Sequence, residues 1–264
     1  MKVVVVSDQH LGYVNSDKIA FNQFLDELTK DDEITNLVLL GDVLDMWRRD
    51  SSGVFLESKD TINKILSLSE KITVHYVAGN HDFHVLRLQN FVYPFNFEKT
   101  LTLRDGKYRY MFLHGWEFDL IQQEPLMEAL CRVMSDEAGD FESGVWATLT
   151  GSWSDIEFLL TFLFRKERIR KTAETLQTGP EERLRNILGD IEKRACSRAK
   201  IIQPNGVLVF GHTHRPFVNT TETVANSGSW VTDAPVHNTY VELSNGRPRL
   251  FQFGGHEIRE RVEC

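Results

Sequence analysis

Residues 72–82 read ITVHYVAGNHD, an apolar, β-branched run that ends in the polar cluster Gly79-Asn80-His81-Asp82. The run is typical of a buried strand in a parallel sheet. Asn, His and Asp side chains can bind a metal, carry a proton or orient the group that carries it. A single cluster of this kind is also common in ordinary turns, so its meaning depends on what lies elsewhere in the chain.

Two earlier runs have the same design. Residues 2–6 are followed by Asp8 and His10, and residues 37–40 are followed by Asp42 and Asp45. Apolar residues recur at helical spacing between these runs, over 17–30 and 57–70, which predicts crossover helices. Alternating strands and helices indicate βαβ units in a layered α/β fold, whose ligands bind at the carboxyl ends of the strands.

The second half of the chain begins with a different pattern. Residues 101–103 and 108–113 flank a Gly-containing turn and predict a hairpin that ends in His114. The strand predicted at 206–210 ends in Gly211-His212-Thr213-His214. Further short strands are predicted at 217–219, 223–226, 239–243 and 249–253.

A long helical region separates His114 from the strand at 206–210. We expect one domain over residues 1–264, with a helical, lid-like insertion at about 117–200 that is interrupted at 151–152 and 179–180. Residues 117–164 hold ten acidic residues and one Arg, whereas 165–200 hold eleven basic and six acidic residues. The contrast fits two packed helical pieces with complementary solvated faces, a lid that attracts an anionic substrate, or an oligomer interface.

The same region has a broad apolar face, which fits core packing or a channel for an acyl or isoprenoid tail. This face comprises Trp153, Ile156, Phe158, Leu159, Leu160, Phe162 and Leu163.

The composition is that of an ordinary soluble globular protein, with 41% hydrophobic and 26% charged residues in 264. A net charge of −8 argues against a general nucleic-acid-coating protein. Three cysteines predict neither a disulfide framework nor a thiolate metal site. The longest apolar run, 158–164, is too short for a membrane span, and no signal-peptide core follows the N-terminus. We therefore expect a cytoplasmic protein without a transmembrane segment.

The polar groups at the strand ends offer oxygen and nitrogen donors and no thiolate. Such a set favours Mn²⁺, Fe, Zn²⁺ or Co²⁺ over Ca²⁺ or a structural zinc. Seven donors suit two neighbouring ions if one carboxylate bridges them. Within 8–10 and 212–214, alternate residues are expected on one side of an extended segment. The donors are Asp8, His10, Asp42, Asn80, His114, His212 and His214.

Together the five motifs resemble those of the calcineurin-like metallophosphoesterase superfamily, whose pattern is D-x-H, G-D-x-x-D, G-N-H-D/E, a lone H and G-H-x-H. The resemblance extends from residue 7 to residue 214. It implies a four-layer α/β/β/α sandwich of two mixed sheets around a centre of two divalent metal ions, with Mn²⁺ favoured.

The resemblance also implies roles for individual residues. One metal would take Asp8, His10 and His214, the other Asn80, His114 and His212, and Asp42 would bridge them. A metal-bridging hydroxide would attack phosphorus while His81 protonates the leaving oxygen or stabilises the transition state. Asp82 would orient His81, and Asp45 would hold a ligand histidine such as His10 or buttress its loop.

The layout is similar to that of the UDP-2,3-diacylglucosamine pyrophosphohydrolase branch, on the basis of the 117–200 insertion and the block Asn226-Ser227-Gly228-Ser229-Trp230. That branch has Arg where this chain has His81, and an acidic residue where it has Trp116. The substrate therefore stays open. Candidate substrate-binding residues near the motifs are Arg48, Arg49, His84 and Arg87, with Trp47 beside them.

Three functions are compatible with these residues. The first is hydrolysis of a small phosphomonoester or of a pyrophosphate-linked nucleotide or lipid. The second is cleavage of DNA or RNA as a phosphodiesterase, which the negative charge and the lack of a basic, aromatic-laced stretch disfavour. The third is a non-catalytic scaffold, which the complete set of motifs disfavours.

Overall fold

The structure is a computed structural model that describes residues 1–90, 93–118, 180–201, 205–259 and 261–263. Three α-helices and two short 3₁₀ helices lie in this part of the chain: α1 (Lys18–Leu28), α2 (Ser51–Ser69), α3 (Pro180–Ala199), and the 3₁₀ helices Phe83–Asn90 and Trp116–Phe118. The strands are β1 (Lys2–Val6), β2 (Asn36–Leu40), β3 (Thr73–Val77), β4 (Asn96–Glu98), β5 (Thr100–Asp105), β6 (Tyr108–Leu113), β7 (Gly206–Phe210), β8 (Phe217–Asn219), β9 (Val224–Asn226), β10 (Thr239–Ser244), β11 (Arg247–Gln252), β12 (His256–Ile258) and β13 (Arg261–Val262).

The first sheet has seven strands in the order β12-β11-β10-β1-β2-β3-β4. Strands β1 to β4 are parallel, and β10, β11 and β12 extend the sheet in antiparallel pairs. The predicted βαβ units are confirmed, because α1 connects β1 to β2 and α2 connects β2 to β3. The three apolar runs thus become adjacent strands whose carboxyl ends meet at one edge.

The crossover helices begin at acidic N-cap residues. Asp17 accepts a hydrogen bond from the backbone N–H of Ala20, and Asp50 accepts one from that of Gly53. Such caps satisfy N–H groups that have no partner inside the helix. The cap at Asp50 makes α2 begin at Ser51, earlier than the predicted residue 57.

The second sheet has six strands in the order β13-β8-β9-β7-β6-β5. The predicted hairpin is confirmed as β5 and β6, which pair antiparallel, and β6 is parallel to its other neighbour β7. Helix α3 begins at Pro180, at one of the predicted interruptions, and packs on this sheet through Ile191, Ala195 and Ala199.

Alternate residues of β1 face different layers. Val4 and Val6 lie in a core with Phe21, Phe24 and other residues that α1 and α2 supply. Val3 and Val5 lie in a core between the two sheets, against side chains such as Tyr110 and Val207. A third core joins the second sheet to α3. The predicted four-layer α/β/β/α sandwich is therefore confirmed.

Not every feature of the fold was predicted, and some predictions concern residues outside the described part of the chain. The edge strands β4, β12 and β13, which have two or three residues each, were not predicted. Cys196 is disulfide-bonded, which was not predicted from the sequence. Residues 119–179 lie outside the described residues, so the single domain, the lid-like insertion and its apolar face stay predictions.

Among the described helices, none combines the length and apolar character that crossing a bilayer requires.

Candidate metal centre

The fold brings the five polar motifs to one place. Strands β1, β2 and β3 are parallel neighbours in the first sheet, and β6 and β7 are parallel neighbours in the second. Asp8 N donates to Gly41 O over 3.0 Å, and Gly211 N donates to His114 O over 2.7 Å. The motifs that follow these strands supply Asp8 and His10, Asp42, Asn80 and His81, His114, and His212 and His214.

The backbone is left-handed at five of these eight residues. Residues other than glycine seldom adopt positive φ angles, since Cβ then crowds the backbone. The expected extended geometry of 8–10 and 212–214 is wrong, because the chain turns sharply where each strand ends. The left-handed residues are Asp8 (57°), His10 (46°), Asp42 (52°), His212 (66°) and His214 (55°).

The first group of donors consists of Asp8, His10 and His214, whose ligand atoms all lie within 4.8 Å of one another. Oδ1 of Asp8 lies 3.2 Å from Nε2 of His214 and 3.9 Å from Nε2 of His10. The two imidazole Nε2 atoms are 3.2 Å apart. Two nitrogens and one carboxylate oxygen thus point at a common centre, the arrangement that a divalent cation needs.

The second group consists of Asp42, His114 and His212, again within 4.8 Å. Oδ2 of Asp42 lies 3.2 Å from Nε2 of His114 and 3.8 Å from Nε2 of His10, which belongs to the first group. Asp42 therefore lies between the two groups, where a bridging carboxylate would be.

Asn80 tests whether this region fits a cation. Its side chain is buried, and its Oδ1 accepts no hydrogen bond from any described residue. An amide oxygen buried without a donor is unfavourable unless another positive partner satisfies it. Since an amide oxygen is also a metal ligand, Asn80 could supply the oxygen of the second group.

The hydrogen bonds of the histidines already fix the tautomers that metal binding requires. Nδ1 of His10 lies 3.1 Å from Oδ2 of Asp45, and Nδ1 of His114 lies 2.8 Å from the carbonyl oxygen of Leu40. Both oxygens can only accept, so each Nδ1 carries a hydrogen, and Nε2 is the nitrogen left to bind a cation in place of a proton.

The buried carboxylates make this region attractive to positive charge. Burial lowers the pKa of His114, but Asp42 and Asp8 raise it to about 10. Burial likewise raises the pKa of Asp42, yet His114 and His81 hold it well below its usual range. The negative charge of the buried carboxylates and the set of donor atoms are therefore both suited to binding two divalent cations.

Gly79 is required for the close approach of two motifs. A Cβ at this position would overlap the carboxylate and backbone nitrogen of Asp42. The glycine of the third motif thus lets the loop after β3 lie directly against the loop after β2.

Asp45 joins a candidate ligand to the candidate proton donor. Its carboxylate is fully buried; Oδ2 contacts Nδ1 of His10, and Oδ1 lies 3.0 Å from Nδ1 of His81. Arg48 donates two more hydrogen bonds to this carboxylate, from Nη1 to Oδ2 over 2.5 Å and from its backbone N–H to Oδ1 over 3.0 Å. Burial raises the pKa of Asp45, but His81, His10 and Arg48 hold it well below its usual range. The indole of Trp47 stacks on His81, with 4.5 Å between ring centroids.

Asp82 has another role than the one predicted. Its Oδ2 accepts hydrogen bonds from Val43 N (2.8 Å) and Tyr76 Oη (2.7 Å), and its Oδ1 accepts one from Gly79 N (2.7 Å). The interpretation that Asp82 orients His81 is corrected, because Asp45 contacts the imidazole. The Asp82 carboxylate instead turns back into its own loop and ties the second motif to the third.

The sequence was also compared with family models and known proteins. The model of the calcineurin-like phosphoesterases matches residues 1–216. The chain belongs to this family. The resemblance read from the five motifs is thereby confirmed for the calcineurin-like phosphoesterases, whereas the UDP-2,3-diacylglucosamine branch stays a hypothesis. None of the curated proteins matches the chain.

Solved structures of other phosphoesterases resemble this calcineurin-like phosphoesterase. Yfce from E. coli is 18% identical, with a TM-score of 0.49 over 96% of this chain and 94% of that chain. A dimetal phosphatase from Danio rerio is 10% identical, with a TM-score of 0.46 over 96% and 99%. An archaeal phosphodiesterase is 12% identical, with a TM-score of 0.45 over 95% and 99%.

The four candidate substrate-binding residues of the phosphoesterase lie in different settings. Arg48 is half-buried beside Asp45, and its guanidinium lies 4.5 Å from the centre of the Tyr13 ring. Arg49 is more exposed and pairs with Glu57 on α2. His84 and Arg87 lie on the 3₁₀ helix that follows the third motif, half-buried and exposed respectively. Arg48 is thus in direct contact with a residue of the candidate centre.

No role at the centre was assigned from the sequence to two of its neighbours, Tyr13 and Asn226. Tyr13 lies under Arg48, and its hydroxyl donates to Asp233 over 3.0 Å, although 220 residues separate the two. Asn226 contacts the turn that holds His212 and His214. A contact between distant segments leaves no local pattern, so only the Asn226–Trp230 block gave a usable signal.

The corrected role of Asp82 predicts a loss of stability. Asp82→Asn presents N–H groups to backbone donors that need an acceptor, so the free energy of unfolding should fall by about 1–3 kcal/mol. Urea unfolding measures this, with the exposed Asp26→Asn as the control. Unchanged stability together with a loss of activity as large as that of a His81 variant would restore the original interpretation.

Proposed function

We propose that this chain is a binuclear metal-dependent phosphoesterase that hydrolyses a small phosphomonoester or a pyrophosphate-linked nucleotide or lipid. The observation that carries the proposal is the convergence of two donor groups that share Asp42, beside an imidazole held by Asp45. The proposed ligands are Asp8, His10 and His214 for one ion, and Asn80, His114 and His212 for the other, with Asp42 between them. Mn²⁺ is the proposed metal, with Fe, Zn²⁺ or Co²⁺ as alternatives, because every donor is oxygen or nitrogen.

The proposed mechanism divides the chemistry between the ions and His81. When bound, two such ions activate water for attack on phosphorus and offset the charge on the phosphoryl oxygens. His81 donates Nδ1–H to Asp45, because an ionised carboxylate can only accept. A second proton on Nε2 can then pass to the leaving oxygen. Asp45 and the stacked Trp47 keep the ring in the orientation this transfer needs.

Arg48 is the proposed contact for the substrate phosphoryl group. Asp45 and the ring of Tyr13 hold its guanidinium beside the first donor group, and its side chain is 23% exposed. A guanidinium fixed on one side can offer its other N–H groups to phosphate oxygens in a forked geometry. Arg49, His84 and Arg87 would contact parts of a larger substrate farther from phosphorus.

A substrate panel with Mn²⁺ tests the proposal. Elemental analysis should find two metal equivalents, and p-nitrophenyl phosphate or nucleotide pyrophosphates should be hydrolysed by the wild type but not after chelation. Asp42→Asn, purified in the same way, controls for contaminating phosphatases. Activity on bis-p-nitrophenyl phosphate alone, with oligonucleotide binding that weakens in salt, would assign a nuclease instead. A protein that binds no metal and shows no activity would overturn the proposal in favour of a scaffold.

The expected cytoplasmic location stays a prediction.

A further inference from the structure

The block Asn226-Ser227-Gly228-Ser229-Trp230 is buried although three of its five residues are polar. Asn226, Ser227, Ser229 and Trp230 are each 0% exposed. The block begins at the last residue of β9 and leads toward β10. Buried polar side chains are normally retained because they satisfy specific hydrogen bonds. The partners of this block therefore indicate what it does.

Both amide hydrogens of Asn226 go to one turn. Its Nδ2 donates to the carbonyl oxygen of Gly211 over 2.9 Å and to Oγ1 of Thr213 over 3.0 Å. Its Oδ1 accepts the backbone N–H of Gly228 over 2.8 Å. Thr213 is the residue between His212 and His214, and its own N–H donates to Gly211 O over 2.7 Å. The Asn226 amide thus cross-links the turn from which both histidines project.

This turn needs external support because its backbone is strained. His212 and His214 have φ angles of 66° and 55°, a conformation that costs energy for residues with a Cβ and persists only when the surroundings hold it. With this backbone geometry, the side chains of His212 and His214 reach different donor groups. His212 joins Asp42 and His114, and His214 joins Asp8 and His10.

The same block also contacts the first motif. The hydroxyls of Ser7 and Ser227 are 2.7 Å apart, and the N–H of Trp230 donates to the carbonyl oxygen of Asp8 over 3.0 Å. The N–H of His212 donates to Oδ2 of Asp8 over 3.0 Å, so the turn is also tied directly to a donor of the first sheet. The block therefore connects the motif after β1 to the motif after β7.

We propose that Asn226 is a positioning residue that holds the His212–His214 turn in its left-handed form, so that one turn supplies a histidine to each of two metal ions. The inference rests on the proposed function, since it requires that both histidines bind metal. Its consequence is specific: loss of the Asn226 donors weakens both metal sites together.

Asn226→Asp is the sharpest test, because it preserves shape and the acceptor for Gly228 but removes the two donors. Isothermal titration of the apoprotein with Mn²⁺ should show both equivalents bound about 10–100-fold more weakly, the usual cost of losing a ligand's supporting hydrogen bond. Activity should recover as Mn²⁺ is raised, which a folding defect would not show. Ser229→Ala is the matched control: Ser229 is equally buried in the same block, and its hydroxyl has no hydrogen-bond partner among the described residues.

Thr213→Val supplies an independent variant if Asn226→Asp does not fold, since it removes the acceptor of the same hydrogen bond. It should also weaken both equivalents, and where both single variants fold, the double variant should show less than the sum of their effects. Wild-type affinity at both sites in either folded variant overturns the inference, as does weakening at one site alone. A wild-type protein that binds no Mn²⁺ would instead refute the proposed function, so the two failures are distinguishable.

Discussion

His81→Ala is expected to keep both bound cations and to lose kcat by about 10²–10⁴-fold, the usual scale for removing a general acid. The imidazole lies within contact of the candidate centre but hydrogen-bonds through Nδ1 to Asp45. Removing it leaves the ligands of both donor groups and the Asp45–His10 contact in place. Metal binding and proton donation should therefore separate in this variant.

The size of the loss should depend on the leaving group. p-Nitrophenolate departs with little help from a proton, whereas an alkoxide needs one, so an alkyl phosphate should show the larger loss. Steady-state kinetics on both esters, with elemental analysis of the same preparations, make the measurement. His75→Ala is the control, because its half-buried imidazole hydrogen-bonds to Asn36 within the first sheet. Equal losses on both esters would indicate a role other than proton donation, and lost cations would make His81 a ligand.

The sequence could predict most of what brings the motifs together. The runs that became β1, β2 and β3 are mostly apolar and nearly continuous, and helical spacing separates them, so parallel neighbours with a shared carboxyl edge follow from general rules. The hairpin β5–β6 was readable from its Gly-containing turn. The positions of the candidate donors after these strands were therefore predictable before any coordinates.

The local geometry of the centre could not be predicted in the same way. Asp82 follows His81 directly, which made it the natural partner in the sequence, but its side chain turns back to Gly79 and Tyr76. Asp45 reaches His81 from another loop, a contact that depends on how the two loops pack. The left-handed backbone at Asp8 and His212 was equally hidden, because residues other than glycine adopt it seldom, even Asp and His, which adopt it more often than most.

Asp42→Asn carries the second large expected effect, because the Asp42 carboxylate lies between both donor groups. Its Oδ2 is 3.2 Å from Nε2 of His114 and 3.8 Å from that of His10, while its Oδ1 accepts the N–H of His81 over 2.8 Å. An amide of the same shape can keep the hydrogen bond to His81 but supplies neither the charge nor the second oxygen that a bridge requires. We expect fewer than two metal equivalents, with affinity reduced more than the roughly 10–100-fold caused by losing a supporting residue.

The result can be assigned to the bridge by comparing Asp42→Asn with Asp82→Asn. Both substitutions remove a buried carboxylate that ties the loops after β2 and β3 together, so general loosening of these loops would affect them alike. Only Asp42 faces the histidines of both groups, and therefore Asp82→Asn should lose stability while retaining two equivalents of Mn²⁺. Elemental analysis after dialysis and titration with Mn²⁺ measure both quantities. Two equivalents at wild-type affinity in Asp42→Asn would reject the bridge, because no site that shares this carboxylate can survive the loss of its charge unchanged.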